Sequence, residues 1–275
     1  MNFKKIVSAV NHTFRQMTED RAAESAAGMA FYSFFSLFPL LLILVSFGGS
    51  FLESSQAQTQ VLEFLLRIFP FSGDVIEGNI QEVLRVRSSV NALSTIMLLW
   101  SGSGAFAAFT RSINRAWPRA KRRPFVIRRL MALGAVIVLV VGLSLLLPLI
   151  TLTHLLPSNL NDAFHALAQM RFISQILVWV LFFLTSTMLY RWIPNIEVTS
   201  DEAIWGGLTA SIGSAAATGG FTWFLKSGLV SYNLVYGSLG AIVALMAWIY
   251  LLSIIILFGA YLSAAIAEQK IEMGD

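Results

Sequence analysis

Apolar positions along this chain fall into long runs separated by short charged segments. Within residues 1–24, Phe3, Ile6, Val7, Val10, Phe14 and Met17 recur at helical spacing with Lys4, Lys5, His12 and Arg15 between them. This predicts an amphipathic helix, either lying on a membrane surface or packed on a bundle. Six apolar runs follow: Ala26 to Gly49, Val90 to Thr110, Leu130 to Leu152, Phe172 to Tyr190, Ala203 to Leu225 and Leu239 to Ala267. Each has the roughly 20 residues a helix needs to cross a hydrocarbon layer about 30 Å thick. Between the first two runs, residues 50–89 carry two further helical stripes, Val61 to Phe69 and Ile76 to Leu84, separated by Pro70 and Ser72-Gly73-Asp74. These predict two short helices outside the bilayer or lying on it.

Composition supports the pattern. Of 275 residues, 56% are hydrophobic and 12% charged, with a mean hydropathy of +0.72, whereas soluble domains carry about 25% charged residues. The expected fold is an all-α membrane protein of six transmembrane helices forming a single domain over 1–275. The formal charge of +4 would suit a nucleic-acid binder only if it were gathered on a binding surface, and it is distributed by loop instead. Lys4, Lys5, Arg15 and Arg21 precede the first run, eight basic residues from Arg111 to Arg129 lie between the second and third, and Arg191 and Lys270 follow the fourth and sixth. Only Arg67, Arg85, Arg87, Arg171 and Lys226 fall on the other side. The basic side is expected in the cytoplasm, with both termini there and 50–89 outside.

Candidate chemistry is sparse. There is no cysteine, which removes thiolate nucleophiles, disulfides and cysteine metal sites. No ionisable residue occupies the middle of a run, so coupling through a midplane acid is not expected. His154, His165 and Asp162 share one loop region, but their spacing matches no zinc motif. No nucleophile with a neighbouring base is evident, and the chain reads as a protein without catalytic residues, metal or cofactor. A phosphate-binding Gly-x-x-x-x-Gly-Lys pattern is also missing, so any transport would draw on a gradient or a partner.

Three features remain. The basic stretch holding Arg111, Asn114, Arg115 and Trp117 reads first as a topological anchor and second as a site for anionic lipid headgroups. The second and fifth runs are rich in small residues, including Ser101 to Gly104 and the series Gly207, Ser211, Ala215 and Gly219, which predicts close helix packing or a narrow passage. Pro39 predicts a kink in the first run beside Tyr32 and Ser36, and Gly237 and Gly240 predict flexible points near the start of the sixth.

Several stretches together resemble the YihY/BrkB family of bacterial inner-membrane proteins, once labelled ribonuclease BN. They are Ala26-Ala27-Gly28-Met29-Ala30-Phe31-Tyr32 with Ser36-Leu37-Phe38-Pro39-Leu40, then Asn114-Arg115-Ala116-Trp117, Tyr190-Arg191-Trp192-Ile193-Pro194-Asn195, and Tyr236-Gly237-Ser238-Leu239-Gly240-Ala241. The chain departs from the family's Gly-Ala-Glu pattern at Tyr261, after Gly259-Ala260. The resemblance implies a six-helix protein of the inner membrane connected with envelope integrity and with lipid or solute export. The resulting expectation is transport or flipping of a lipid-related or amphipathic solute, with Arg111, Asn114, Arg115 and Trp117 contacting headgroups and Tyr32 and Ser36 on the pathway. Anionic membrane lipids and envelope proteins are the expected partners, nucleic acid is not, and a homo-oligomer is left open. The alternatives are a non-transporting envelope scaffold and, remotely, a ribonuclease resting on Glu197, Asp201 and Glu202.

Overall fold

A computed structural model describes residues 3–52, 92–121, 124, 126–127, 129–134, 171–227 and 239–272. Among these the regular secondary structure is entirely helical. The helices are α1 (Phe3–Glu19), α2 (Ala22–Leu52), α3 (Ala92–Arg115), α4 (Arg171–Trp192), α5 (Ser200–Lys226) and α6 (Leu239–Glu272), with further helical turns within 126–134. α1 matches the amphipathic helix expected at the N-terminus, and α2 to α6 coincide with five of the six apolar runs. Most of the third run and of the 50–89 segment lies outside the described residues, as do Gly237, His154, His165 and Asp162. Among the described residues one stretch, Ile242–Lys270, is long and apolar enough to cross a membrane by length and composition.

α6 is the centre of the arrangement. α2 packs on one side of it and carries α3, whereas α5 packs on the other and carries α4. α1 crosses α6 near its C-terminal end. The face that α1 turns inward is Ala9, Thr13 and Gln16, with Val10 partly buried, and Phe14 sets its ring against Phe258 at 5.2 Å between centroids. Val7 and Phe14 remain largely exposed, so the apolar stripe read from the sequence is only partly consumed by packing.

Small residues determine how closely the helices approach. A Cβ built on Gly206 of α5 would stand 2.6 Å from the Gly259 carbonyl oxygen of α6, and one on Gly259 would stand 2.7 Å from the Gly206 carbonyl oxygen. The two backbones are therefore in direct contact, an approach only glycine permits. On the neighbouring face of α5, a Cβ on Gly207 would collide with Thr187 of α4, and Ser211 Oγ donates to the Trp179 carbonyl of α4 at 3.1 Å. The glycine and small-residue content of α5 thus serves two interfaces at once. Around Gly219 and Gly220 there is open space instead.

The largest apolar core lies at one end of the bundle. Ala22, Ala26 and Met29 of α2 meet Ile113, Ala116 and Trp117 at the end of α3, Tyr190 and Ile193 at the end of α4, Ala203 and Ala210 of α5, and Leu257, Ala260, Tyr261 and Ala264 of α6. A second cluster further along joins Ala30 to Leu245, Trp248 and Ile249.

Candidate functional site

The core end of the bundle is also where the polar residues gather. α1 stops at Glu19 and α2 begins at Ala22, and the turn between them places Arg21 at φ 52°. That left-handed conformation lets the Arg21 N–H reach the Thr18 carbonyl at 3.2 Å, closing α1. The turn is then gripped from two sides. Arg115, the last residue of α3, donates from Nη1 to the Asp20 carbonyl at 3.3 Å and to Ser25 Oγ at 3.0 Å. Tyr261 of α6 donates its hydroxyl to Asp20 Oδ2 at 3.1 Å. Gln16 of α1 reaches the Ala116 carbonyl at 3.4 Å.

A second group of contacts ties the loop after α3 to the loop after α4. The Asn195 N–H donates to Asn114 Oδ1 at 2.8 Å, and Asn195 Nδ2 donates to the Lys121 carbonyl at 3.2 Å. Arg191 bonds Ser200 Oγ at the start of α5. The Thr199 N–H donates to Glu202 Oε2 at 2.9 Å, the reciprocal half of a capping box that begins α5. Glu202 is itself buried and lies 3.8 Å from Lys270 Nζ, which also approaches Asp201 at 3.7 Å. Beneath these bonds Tyr190, fully buried, donates its hydroxyl to the Ile256 carbonyl at 2.7 Å and locks α4 to α6.

The residues singled out from sequence divide accordingly. Arg111 is exposed and has no bonded partner among the described residues. Asn114 and Arg115 are occupied in holding other segments of the chain. Trp117 is 3% exposed inside the core, and its Nε1 is shielded without a hydrogen-bond partner, so the ring packs the bundle rather than facing outward. Tyr32 is exposed on α2 with its ring against Gly104 of α3, whereas Ser36 is buried and donates to the Ser33 carbonyl one turn back at 2.8 Å. α2 continues as one helix through Pro39. Gly240 is buried in the first turn of α6.

Three of the four stretches quoted above thus meet at one place. Ala26 and Met29, Trp117 with Asn114 and Arg115, and Tyr190 with Ile193 and Asn195 form a single junction. Sequence reasoning missed Asp20, Ser25 and Tyr261 as members of it. The departure at Tyr261 was a usable signal, since the hydroxyl there meets a carboxylate supplied by Asp20. Among the described residues α2 and α5 do not face each other, because α6 stands between them. An open groove of about 550 Å³ runs along α1 instead, lined by Val7, Ser8, Asn11, His12 and Arg15. Among the described residues no group of three or more histidine or acidic side chains is placed to hold a metal.

Comparison with known proteins places the chain in a family. The family model described as virulence factor BrkB matches residues 13–274. A UPF0761 membrane protein of Vibrio vulnificus is 26% identical over 274 residues, covering 96% of this chain and 84% of its own. One of Aliivibrio salmonicida is 29% identical over 258 residues, covering 93% and 82%. One of Cronobacter sakazakii is 25% identical over 263 residues, covering 93% and 87%. No solved structure matches the chain. With nearly its whole length matched by that family model, and membrane proteins as its relatives, the chain belongs to the BrkB family of membrane proteins.

Proposed function

We propose that this protein carries a lipid-related or amphipathic solute across the bacterial inner membrane in envelope maintenance, and that the polar junction is its cytoplasmic gate. In this reading the chain spans the membrane six times with both termini inside, as the loop charges direct. The observation that supports it is how the junction is built. The α5 to α6 and α5 to α4 contacts use interlocked small residues, which cannot separate without losing dense packing. The ends of α3 and α4 are joined by loop hydrogen bonds such as Asn114 to Asn195, which water can replace at a net cost of about 1 kcal/mol each. In this reading the loop bonds release before the glycine-packed contacts of α5, which keep the rest of the bundle together. Arg111, exposed beside it, is free to meet an anionic headgroup arriving from the inner leaflet.

The test is a flux or lipid-scrambling assay on the purified chain in liposomes. The expected result is movement of a labelled anionic lipid that slows on Arg111→Ala without loss of thermal stability. No movement of any amphipathic probe by folded protein would reject the reading. The second reading, a non-transporting envelope scaffold, is favoured by the continuous apolar core that fills the described end of the bundle. It predicts no flux together with stable capture of envelope proteins. A ribonuclease finds little support: Asp201 and Glu202 lie together at the start of α5 but share Lys270, and Glu197 is exposed.

A further inference from the structure

Arg129 is one of the eight basic residues that the sequence places in the loop between the second and third runs, at the loop's last position. The structure sets it elsewhere. Its guanidinium carbon lies 4.0 Å from the centroid of the Trp100 ring, and its Nη2 donates to the Trp100 carbonyl at 2.5 Å. Trp100 is not at the loop end of α3. It precedes Thr110, where the apolar run ends, by ten residues, a distance of about 15 Å along a helix. Half of a hydrocarbon layer is also about 15 Å. In the six-span reading the guanidinium therefore stands well inside the apolar zone rather than among headgroups.

Its partners there do not neutralise it. The Trp100 carbonyl already accepts the Ser103 hydroxyl at 2.7 Å, and the ring offers only its quadrupole. No carboxylate pairs with Arg129 among the described residues, and its Nε is shielded without a partner. A guanidinium has five N–H donors, so among the described residues most of its hydrogen-bonding capacity is unused. The surroundings open outward: Trp100 is 55% exposed, and Val126, Ile127 and Leu130 present large apolar side chains to the outside. A cation facing hydrocarbon is costly and is retained where it meets an anion or a water-filled defect.

We infer that Arg129 and Trp100 form a binding site for the phosphate of an anionic lipid that enters from the side of the bundle. The guanidinium receives phosphate oxygens in its planar donor fork, Trp100 fixes the plane of that fork, and the exposed aliphatic residues receive the acyl chains. Arginine is the fitting residue over this ring, since its guanidinium is planar whereas lysine offers a compact point charge. The site deepens the transport reading, and its link to transport rests on that reading, but binding is measured separately.

Native mass spectrometry of the full chain from vesicles of phosphatidylglycerol mixed with phosphatidylcholine provides the test. The wild-type protein is expected to retain phosphatidylglycerol in preference. Arg129→Gln should lower that retention roughly tenfold, the value of a lost charge-assisted contact, and Arg129→Lys should lower it less. Trp100→Leu, which keeps the charge, should weaken retention as well and covers the case in which Arg129→Gln does not fold. Arg119→Gln, an exposed loop cation, should leave it unchanged. Equal retention by wild type and Arg129→Gln, or equal loss in Arg119→Gln, overturns the site. Displacement of the lipid by millimolar inorganic phosphate overturns the assignment to a lipid. Lost retention with unaltered lipid flux keeps the site and severs it from transport.

Discussion

Asn114 accepts the backbone N–H of Asn195 on its side-chain oxygen at 2.8 Å, joining the last turn of α3 to the loop that follows α4. Both residues were quoted from sequence as parts of separate motifs. Their meeting explains why an asparagine is suited to position 114: an acceptor is needed for a main-chain donor that lies beyond helical structure. Asn114→Leu is expected to leave that donor to water and lower stability by about 1 kcal/mol, while Asn114→Asp retains an acceptor and most of the stability. Thermal unfolding in detergent measures both. Equal melting of the Leu variant and the wild type would remove the bond from the account of the junction.

The contact between Gly206 and Gly259 gives the sharpest packing prediction. Gly206→Ala forces a methyl group to within 2.6 Å of a carbonyl oxygen on another helix, so the helices must part. A loss of about 1 to 3 kcal/mol is expected. Gly219→Ala in the same helix meets open space and should be neutral or stabilising by up to about 1 kcal/mol, through helix propensity. Unfolding titrations of the two variants in one detergent compare them directly. Equal effects would contradict the described interface.

Arg21 sits at φ 52° between α1 and α2, a conformation in which a Cβ costs about 1 kcal/mol. Arg21→Gly should raise stability by a few tenths to about 1 kcal/mol, since the ion pair it gives up, 3.5 Å to Glu24, is well exposed. Arg21→Val should lower it. A shift of melting temperature in opposite directions for the two variants is the expected reading.

Arg115 and Arg111 differ although four residues apart on one helix. Arg115→Ala releases the Asp20 carbonyl and Ser25, and should loosen the α1 to α2 turn, seen as faster hydrogen exchange at residues 18–26. Arg111→Ala should leave exchange unchanged. Identical exchange in both variants would show that the grip on the turn does not depend on Arg115.

Much of the helical plan was legible from the apolar runs, because in lipid the backbone must satisfy its own hydrogen bonds and a long apolar run can do so only as a helix. The neighbours of each helix were not legible. Hydropathy gives Gly206 and Gly219 the same value, yet one touches a backbone and the other faces space. The basic stretch from Arg111 to Arg129 looked uniform in charge, and its members separate into an exposed cation at Arg111, a brace at Arg115 and a ring-stacked cation at Arg129. That division depends on which surface each side chain meets, a property of distant sequence. Trp117 illustrates the same limit: in a run of five arginines and a lysine from Arg111 to Arg123 it read as a headgroup contact, and the convergence of helix ends placed it inside.

α6 spans 34 residues, about 51 Å of helix against a hydrocarbon layer of roughly 30 Å. The pair α2 and α3 and the pair α4 and α5 both mount on it and meet each other at one end, through the apolar cluster there and the bonds made by Asn195. In the transport reading such a helix serves as an axle. Relative motion of the two pairs reduces to a turn about one line, with the loop bonds at its end as the latch, and a cross-link from α2 to α6 should leave that turn free while one from Asn114 to Asn195 arrests it.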